Sequence, residues 1–405
     1  MTSKYSHLLK NSDYMLLLLG QLVSKLGSSI NTIGLTLYVL KFDNPIMSLG
    51  LLSLLLLVPW TILGPYAGIL ADRYPKKTII IICDILRGFL SIGLFFISNI
   101  WAFYFVVLLQ TLLDILFAPA IGGYLPFIVK KDDLDKANAM YASSGKLASL
   151  TGPAIGGFLI AWTGVSVVFI INGIAFIISG ISEMFISITG VAAPKDDAPK
   201  TKSTKRDLME GIAYIKDHKN FLFIILFFAA ASMWFGGIPI LYSNILIGEL
   251  KLSDPFYGIL STVMGLGSLL GAMLIPSILK KARHTSVMIL GTAVYALMYV
   301  LFSFTNVPAM LPILTLCIGI SVSLINVVYG IFLQKEIEKE YIGRVFSLDM
   351  ALSNFTMVLA VLFITLWGSN FNPRHLMLGS SLLLLVVCGV FYLLDHRMNR
   401  GAVEG

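Results

Sequence analysis

The chain has 405 residues, of which 57% are hydrophobic and 13% charged, and its formal net charge is +7; its mean hydropathy is +0.87. A soluble domain carries about 25% charged residues, so a water-soluble globular fold is excluded. The basic residues sit in short clusters between apolar runs, a pattern that encodes membrane topology and speaks against nucleic acid as a partner.

Met1 to Lys10 is polar, and the first apolar run is longer than a signal-peptide core, so no cleavage is expected. Taking about 20 residues as the length needed to span, runs fall at 16–40, 49–70, 78–98, 101–123, 141–162, 166–190, 221–247, 256–279, 286–304, 308–332, 345–367 and 376–394. They predict an all-α polytopic membrane protein of twelve transmembrane helices. With the amino terminus inside, only Lys41, Lys251 and Arg374 of the 29 Lys and Arg fall in outer loops, and only Lys25, Arg87 and Lys146 fall within spans. The positive-inside rule then places both termini in the cytoplasm and the protein in the cell membrane as a multi-pass chain. Cys83, Cys317 and Cys388 lie inside apolar runs and are odd in number, so no disulfide framework is indicated.

Residues 191–219 form the one extended polar stretch. They divide the chain into an N-terminal bundle (1–190), a cytoplasmic linker and a C-terminal bundle (220–405), six helices in each half. The linker cations suit anionic headgroups, and Lys205 to Lys219 reads as a surface helix. An offset of 207 aligns Gly64 with Gly271, Arg73 with Lys280, Lys76 with Arg283 and Thr78 with Thr285, with Leu279 opposite Asp72. Such a repeat fits two pseudo-symmetric bundles.

Ionisable groups inside the spans are costly unless paired or hydrated. In the first half these are Lys25, Asp114, Lys146 and Glu183, and in the second Asp349. Asp114, near mid-membrane, is the first candidate to carry a coupling proton, followed by Glu183 and Asp84. The alternative is an ion pair of Asp114 with Lys25 or Lys146 that pins the bundle. Asp84 and Arg87, spaced i, i+3, can pair on one helix face, with a coupling role as the other reading. Candidate cavity-lining residues are Asn31, Gln110, Trp234, Phe235, Tyr242, Asn326, Tyr329 and Asn354, polar or aromatic groups in otherwise aliphatic helices; for the aromatics, ordinary helix packing is the competing explanation. The 26 Phe and 16 Met could also shape an adaptable apolar cavity.

Enzymatic readings find no support. The five His lie in loops or tails, no Gly-x4-Gly-Lys phosphate loop occurs, and no Cys or His cluster has metal-ligand spacing. No cofactor or metal is expected. The partners expected are a small-molecule substrate, protons and membrane lipids, with the protein a monomer.

Between the second and third runs stands Gly68-Ile-Leu-Ala-Asp72-Arg73-Tyr-Pro75-Lys76-Lys77. It resembles the loop motif of the major facilitator superfamily, with Pro75 where a glycine usually falls. The resemblance implies two six-helix bundles working by alternating access. It also implies a charge latch: Asp72 clasps the start of helix eleven at Gly343 and Arg344, supported by Gly68, Arg73, Lys76, Lys77 and Arg87. Gly152-Pro153-Ala-Ile-Gly156-Gly157 in helix five resembles the motif of proton-coupled drug antiporters, with Ala139 and Ala148 at its two earlier glycine positions; close helix packing alone would use the same residues.

Four further segments resemble the subgroup of macrolide efflux proteins and a siderophore exporter: Asp84-Ile-Leu-Arg87-Gly, Ala118-Pro119-Ala120, Ala137-Asn138-Ala139 and Glu340-Tyr-Ile-Gly343-Arg344-Val-Phe-Ser347. Gln110 stands where that family usually has a helix-four arginine, so a relay through that cation is not implied. The function implied is export of amphipathic or hydrophobic, drug-like or macrolide-type molecules in exchange for protons, hence multidrug efflux and antibiotic resistance. Export of a lipid, lysophospholipid or siderophore, a uniporter without proton coupling, and a non-transporting sensor are the alternatives.

Overall fold

The structure is a computed structural model that describes residues 6–188, 204–280, 282–338 and 341–401; linker residues 191–203 therefore lie outside the described residues. In chain order the long helices are α1 (Ser12–Val39), α2 (Pro45–Arg73), α3 (Lys76–Leu94), α4 (Ile100–Ile128), α5 (Leu134–Thr163) and α6 (Val165–Met184). After a linker helix, Thr204–Asp217, follow α7 (Lys219–Asn244), α8 (Asp254–Leu279), α9 (His284–Phe304), α10 (Leu311–Glu336), α11 (Ile342–Trp367) and α12 (Pro373–Gly401). A π turn, Ile245–Glu249, extends α7.

Among the described residues, nine of these helices are long and apolar enough to cross a membrane by length and composition. The other three, α1, α3 and α5, carry Gln21 and Lys25, Asp84 and Arg87, and Lys146 respectively. These polar groups lower their hydropathy. Large apolar side chains face outward instead, among them Leu19, Phe89, Phe96 and Trp162, which is stable only where the surroundings are hydrocarbon.

Three helices, α1, α2 and α4, start earlier than their apolar runs because a polar cap begins each. Asn11 accepts from Tyr14 N at 3.1 Å, Asn44 from Met47 N at 3.2 Å, and Asn99 from Trp101 N at 2.8 Å and Ala102 N at 3.1 Å. Each cap satisfies amide groups that the first turn leaves free.

The chain divides into two compact units: one of Met1–Asp43, Leu51–Asp196 and Leu252–Thr262, the other of Asn44–Gly50, Asp197–Lys251 and Val263–Gly405. In the first unit α1 packs on α5 and α6, and α3 packs on α4 and α6. Gly20, Gly27 and Gly34 form a heptad seam along α1. A Cβ on them would meet Ser182 and Ser179, Ala175 and Asn172, and Val168 of α6 respectively. Small residues let two backbones approach closely in hydrocarbon, where packing drives association. Gly88 of α3 and Gly173 of α6 make a second such contact, each Cβ position lying under 3.0 Å from the other's carbonyl oxygen. In the second unit α9 packs on α10 and α12, and α7 on α11 and α12.

Candidate functional site

The close contact of α3 with α6 encloses the charges that α3 carries. Arg87 is 5% exposed and Asp84 fully buried. The Arg87 guanidinium forms ion pairs with Asp84 of its own helix and with Asp114 of α4. Its Nε donates to Cys83 O at 3.3 Å, and it lies 4.1 Å from the Phe117 ring centroid and 4.5 Å from that of Phe176. Aromatic faces favour a cation that has lost its water. Asp114 therefore pairs with Arg87 and not, as the sequence suggested, with Lys25 or Lys146. Lys25 donates to Tyr141 O at 3.0 Å and to Ser144 Oγ at 3.3 Å, and Lys146 is exposed.

Gln21 of α1 links these charges to Glu183. Its Nε2 lies 2.9 Å from Glu183 Oε1, 3.1 Å from Ser179 Oγ and 3.3 Å from Asp84 Oδ2. An amide nitrogen has two hydrogens, so these acceptors compete for it. Glu183 Oε2 is buried without a hydrogen-bond partner among the described residues. Glu183 lies one residue from the end of α6, not deep within a run reaching residue 190. The order Glu183, Gln21, Asp84, Arg87, Asp114 thus leads from a helix end to the middle of α4. Two of these three carboxyls pair with the one guanidinium and the third with a neutral amide, so fully ionised they would leave excess negative charge in an apolar setting.

Asp114 is the exposed end of this chain of groups, its side chain 44% accessible. It opens onto a cavity of about 170 Å³ lined by Asn31, Arg87, Gln110, Thr111, Asn172 and Phe176 with neighbouring hydroxyl-bearing and aliphatic residues. Gln110 donates to Arg87 O at 3.4 Å. A larger groove of about 450 Å³ between α2 and α4 ends at Arg73, but its walls are mostly apolar and it gathers none of these carboxyls. The smaller cavity is the better site on chemical grounds.

Asn31 and Gln110 are thus brought together, whereas the other cavity candidates belong to the second unit. There Trp234 Nε1 donates to Ser380 O at 2.6 Å, Phe235 meets Tyr295 edge-on at 5.3 Å, and the Tyr242 and Thr315 hydroxyls lie 3.3 Å apart. Tyr329 stacks on Phe228 at 3.9 Å, Asn326 is exposed and bonds back to Val322 O of its own helix, and Asn354 is half-buried. The side chains of Asp72 and Arg344, and the surroundings of Gly343, lie outside the described residues. Of the remaining latch residues, Gly68 is half-buried and Arg73 exposed. Lys76 is buried and reaches Ala71 O, while Lys77 donates to Met184 O and Ile186 O at the end of α6. In helix five, a Cβ on Gly152 would strike Ser29 of α1, one on Gly156 would press on Ile30, and Gly157 meets Asp254 and Gly258 at the start of α8. Pro153 sits inside the same helix.

The sequence profile of the Major Facilitator Superfamily matches residues 17–248 and 222–405, and the chain belongs to this superfamily of membrane transporters. An uncharacterized MFS-type transporter of Bacillus subtilis (strain 168), YfiS, is 29% identical over 209 residues; the match spans 51% of this chain and 48% of that relative. Macrolide efflux protein A of Streptococcus pyogenes is 22% identical over 383 residues, 91% of this chain and 92% of its own. A solved bacterial homolog of the human lysosomal transporter Spinster, inward-facing and unoccupied, is similar with a TM-score of 0.75 at 14% identity, over 95% of this chain and 96% of that one. That likeness concerns the fold.

Proposed function

We propose that the chain exports amphipathic or hydrophobic small molecules, drug-like and macrolide-type, in exchange for protons by alternating access. The observation that carries this reading is the Asp114 carboxyl, paired with a buried arginine yet open to a polar-lined cavity. A proton arriving on Asp114 neutralises it and frees Arg87 to rely on Asp84; departure of the proton restores the clamp. Glu183 and Asp84, held close to one another by Gln21, are further carboxyls on which that proton can reside between Asp114 and the end of α6. Asn31 and Gln110 supply hydrogen-bonding groups beside Phe176 for an amphipathic ligand. Similarity to macrolide efflux protein A over most of both chains supports the substrate class.

On this reading residues 1–190 and 220–405 are the two moving halves, both termini are cytoplasmic, the protein is a monomer of the cell membrane, and Asp72 latches to the start of α11 at Gly343 and Arg344. The basic loops support the orientation. The test is uptake into inverted membrane vesicles of a panel of macrolides, lipophilic cations and lysolipids under an imposed pH gradient. Accumulation abolished by a protonophore is expected; accumulation indifferent to the gradient would point to a uniporter.

A further inference from the structure

In the second unit Asp349 of α11 is 3% exposed. The hydroxyls of Tyr329, from α10, and Ser353, one turn along α11, stand beside its carboxyl, and these residues are 5% and 9% exposed. Asp349 Oδ1, Tyr329 OH and Ser353 Oγ are all buried, and none makes a hydrogen bond of ordinary geometry. Tyr329 is fixed by its stack on Phe228 of α7, so its hydroxyl cannot turn away cheaply.

Among the described residues no cation forms an ion pair with Asp349. Besides Tyr329, α10 carries Lys335 and Glu336 at its far end. On α7 the titratable residues are Lys219, its first residue, and Tyr242, whose hydroxyl is turned to Thr315. The linker helix brings Tyr214 against Tyr341, before the start of α11, and carries Glu210 and Lys216. Among the described residues, Tyr329 is the titratable group that stands beside Asp349. An isolated carboxylate at such a place costs several kcal/mol. A proton removes that charge and provides a donor for the neighbouring hydroxyl oxygens. A bare divalent cation would need about six oxygens, more than are gathered here.

We propose that Asp349, with Tyr329 and Ser353, is a second proton-binding site, in the second unit and separate from the Arg87 network. Its occupancy stands on the geometry around Asp349 alone; only its use in transport rests on the proton-coupled reading. The bond formed is a carboxyl O–H, with the proton drawn from water on entry and returned to it on exit.

The test is infrared difference spectroscopy between acidic and alkaline buffer on the purified full chain in lipid nanodiscs, without substrate. The expected result is a protonated-carboxyl stretch that is lost in Asp349→Asn, shifted in Tyr329→Phe and retained in Asp114→Asn. Because no substrate is present, failure of substrate-proton exchange would leave this band in place. A band unchanged in a folded Asp349→Asn would overturn the proposal. So would a band abolished at fixed pH by added sodium, which would assign the site to a metal ion. If Asp349→Asn does not fold, Tyr329→Phe decides: a shifted band supports the proposal and an unshifted one ends it.

Discussion

Arg87 and Asp114 are 27 positions apart in sequence and on different helices, yet they form a direct ion pair inside the bundle. Arg87 also holds Asp84, so its loss would leave a fully buried carboxyl without its cation. Breaking a buried pair from one side costs about 3–5 kcal/mol. Arg87→Met should therefore lower the unfolding temperature sharply in detergent, and adding Asp84→Asn should restore part of the loss. If the single variant unfolds like the parent, the pair does not hold the bundle together.

Gly173 and Gly122 offer an internally controlled comparison. A Cβ on Gly173 meets the Gly88 carbonyl oxygen at 2.6 Å, whereas one on Gly122 meets nothing within 4 Å. Gly173→Ala should destabilise by about 1–3 kcal/mol through overpacking. Gly122→Ala should be neutral or stabilise by up to about 1 kcal/mol, since alanine favours helix. Thermal unfolding of both variants reads the difference.

Gln21 is the shared donor between Glu183 and Asp84. Gln21→Leu should retain the fold at a cost of about 1–3 kcal/mol for the orphaned acceptors and should slow proton movement with substrate. Normal proton flux in this variant would remove Glu183 from the proton route.

Binding should depend on pH in a definite direction. If a proton on Asp114 and the substrate exclude one another, affinity weakens as pH falls, by at most about tenfold per pH unit for each proton exchanged. By reciprocity the substrate then lowers proton affinity by the same factor. Isothermal titration across pH should show this slope in the parent and a flat profile in Asp114→Asn.

Much of the fold is legible in the sequence because hydrocarbon imposes a length and a polarity on each span. The twelve runs correspond to α1–α12, and the linker carries a helix at Thr204–Asp217. The ends are less legible: α5 begins at Leu134, well before the apolar run at 141, because its first turns are polar. At the site, the i, i+3 spacing of Asp84 and Arg87 already gives their pairing. The reach of Arg87 to Asp114 is not legible, since the two stand on different helices, α3 and α4, and their pairing depends on how those helices pack together. Gln21 was missed outright. Its signals were a neutral amide one turn before Lys25 and the glycines at 20, 27 and 34, which mark the buried face of α1.

The central claim is that Asp114 couples substrate to protons. It is tested most directly in proteoliposomes of purified protein with a pH-sensitive dye inside, adding each compound of the transport panel in turn. At least one compound should drive proton movement in the parent and none in Asp114→Asn, with both proteins folded and still able to bind it. Equal proton movement in the folded variant would contradict the account.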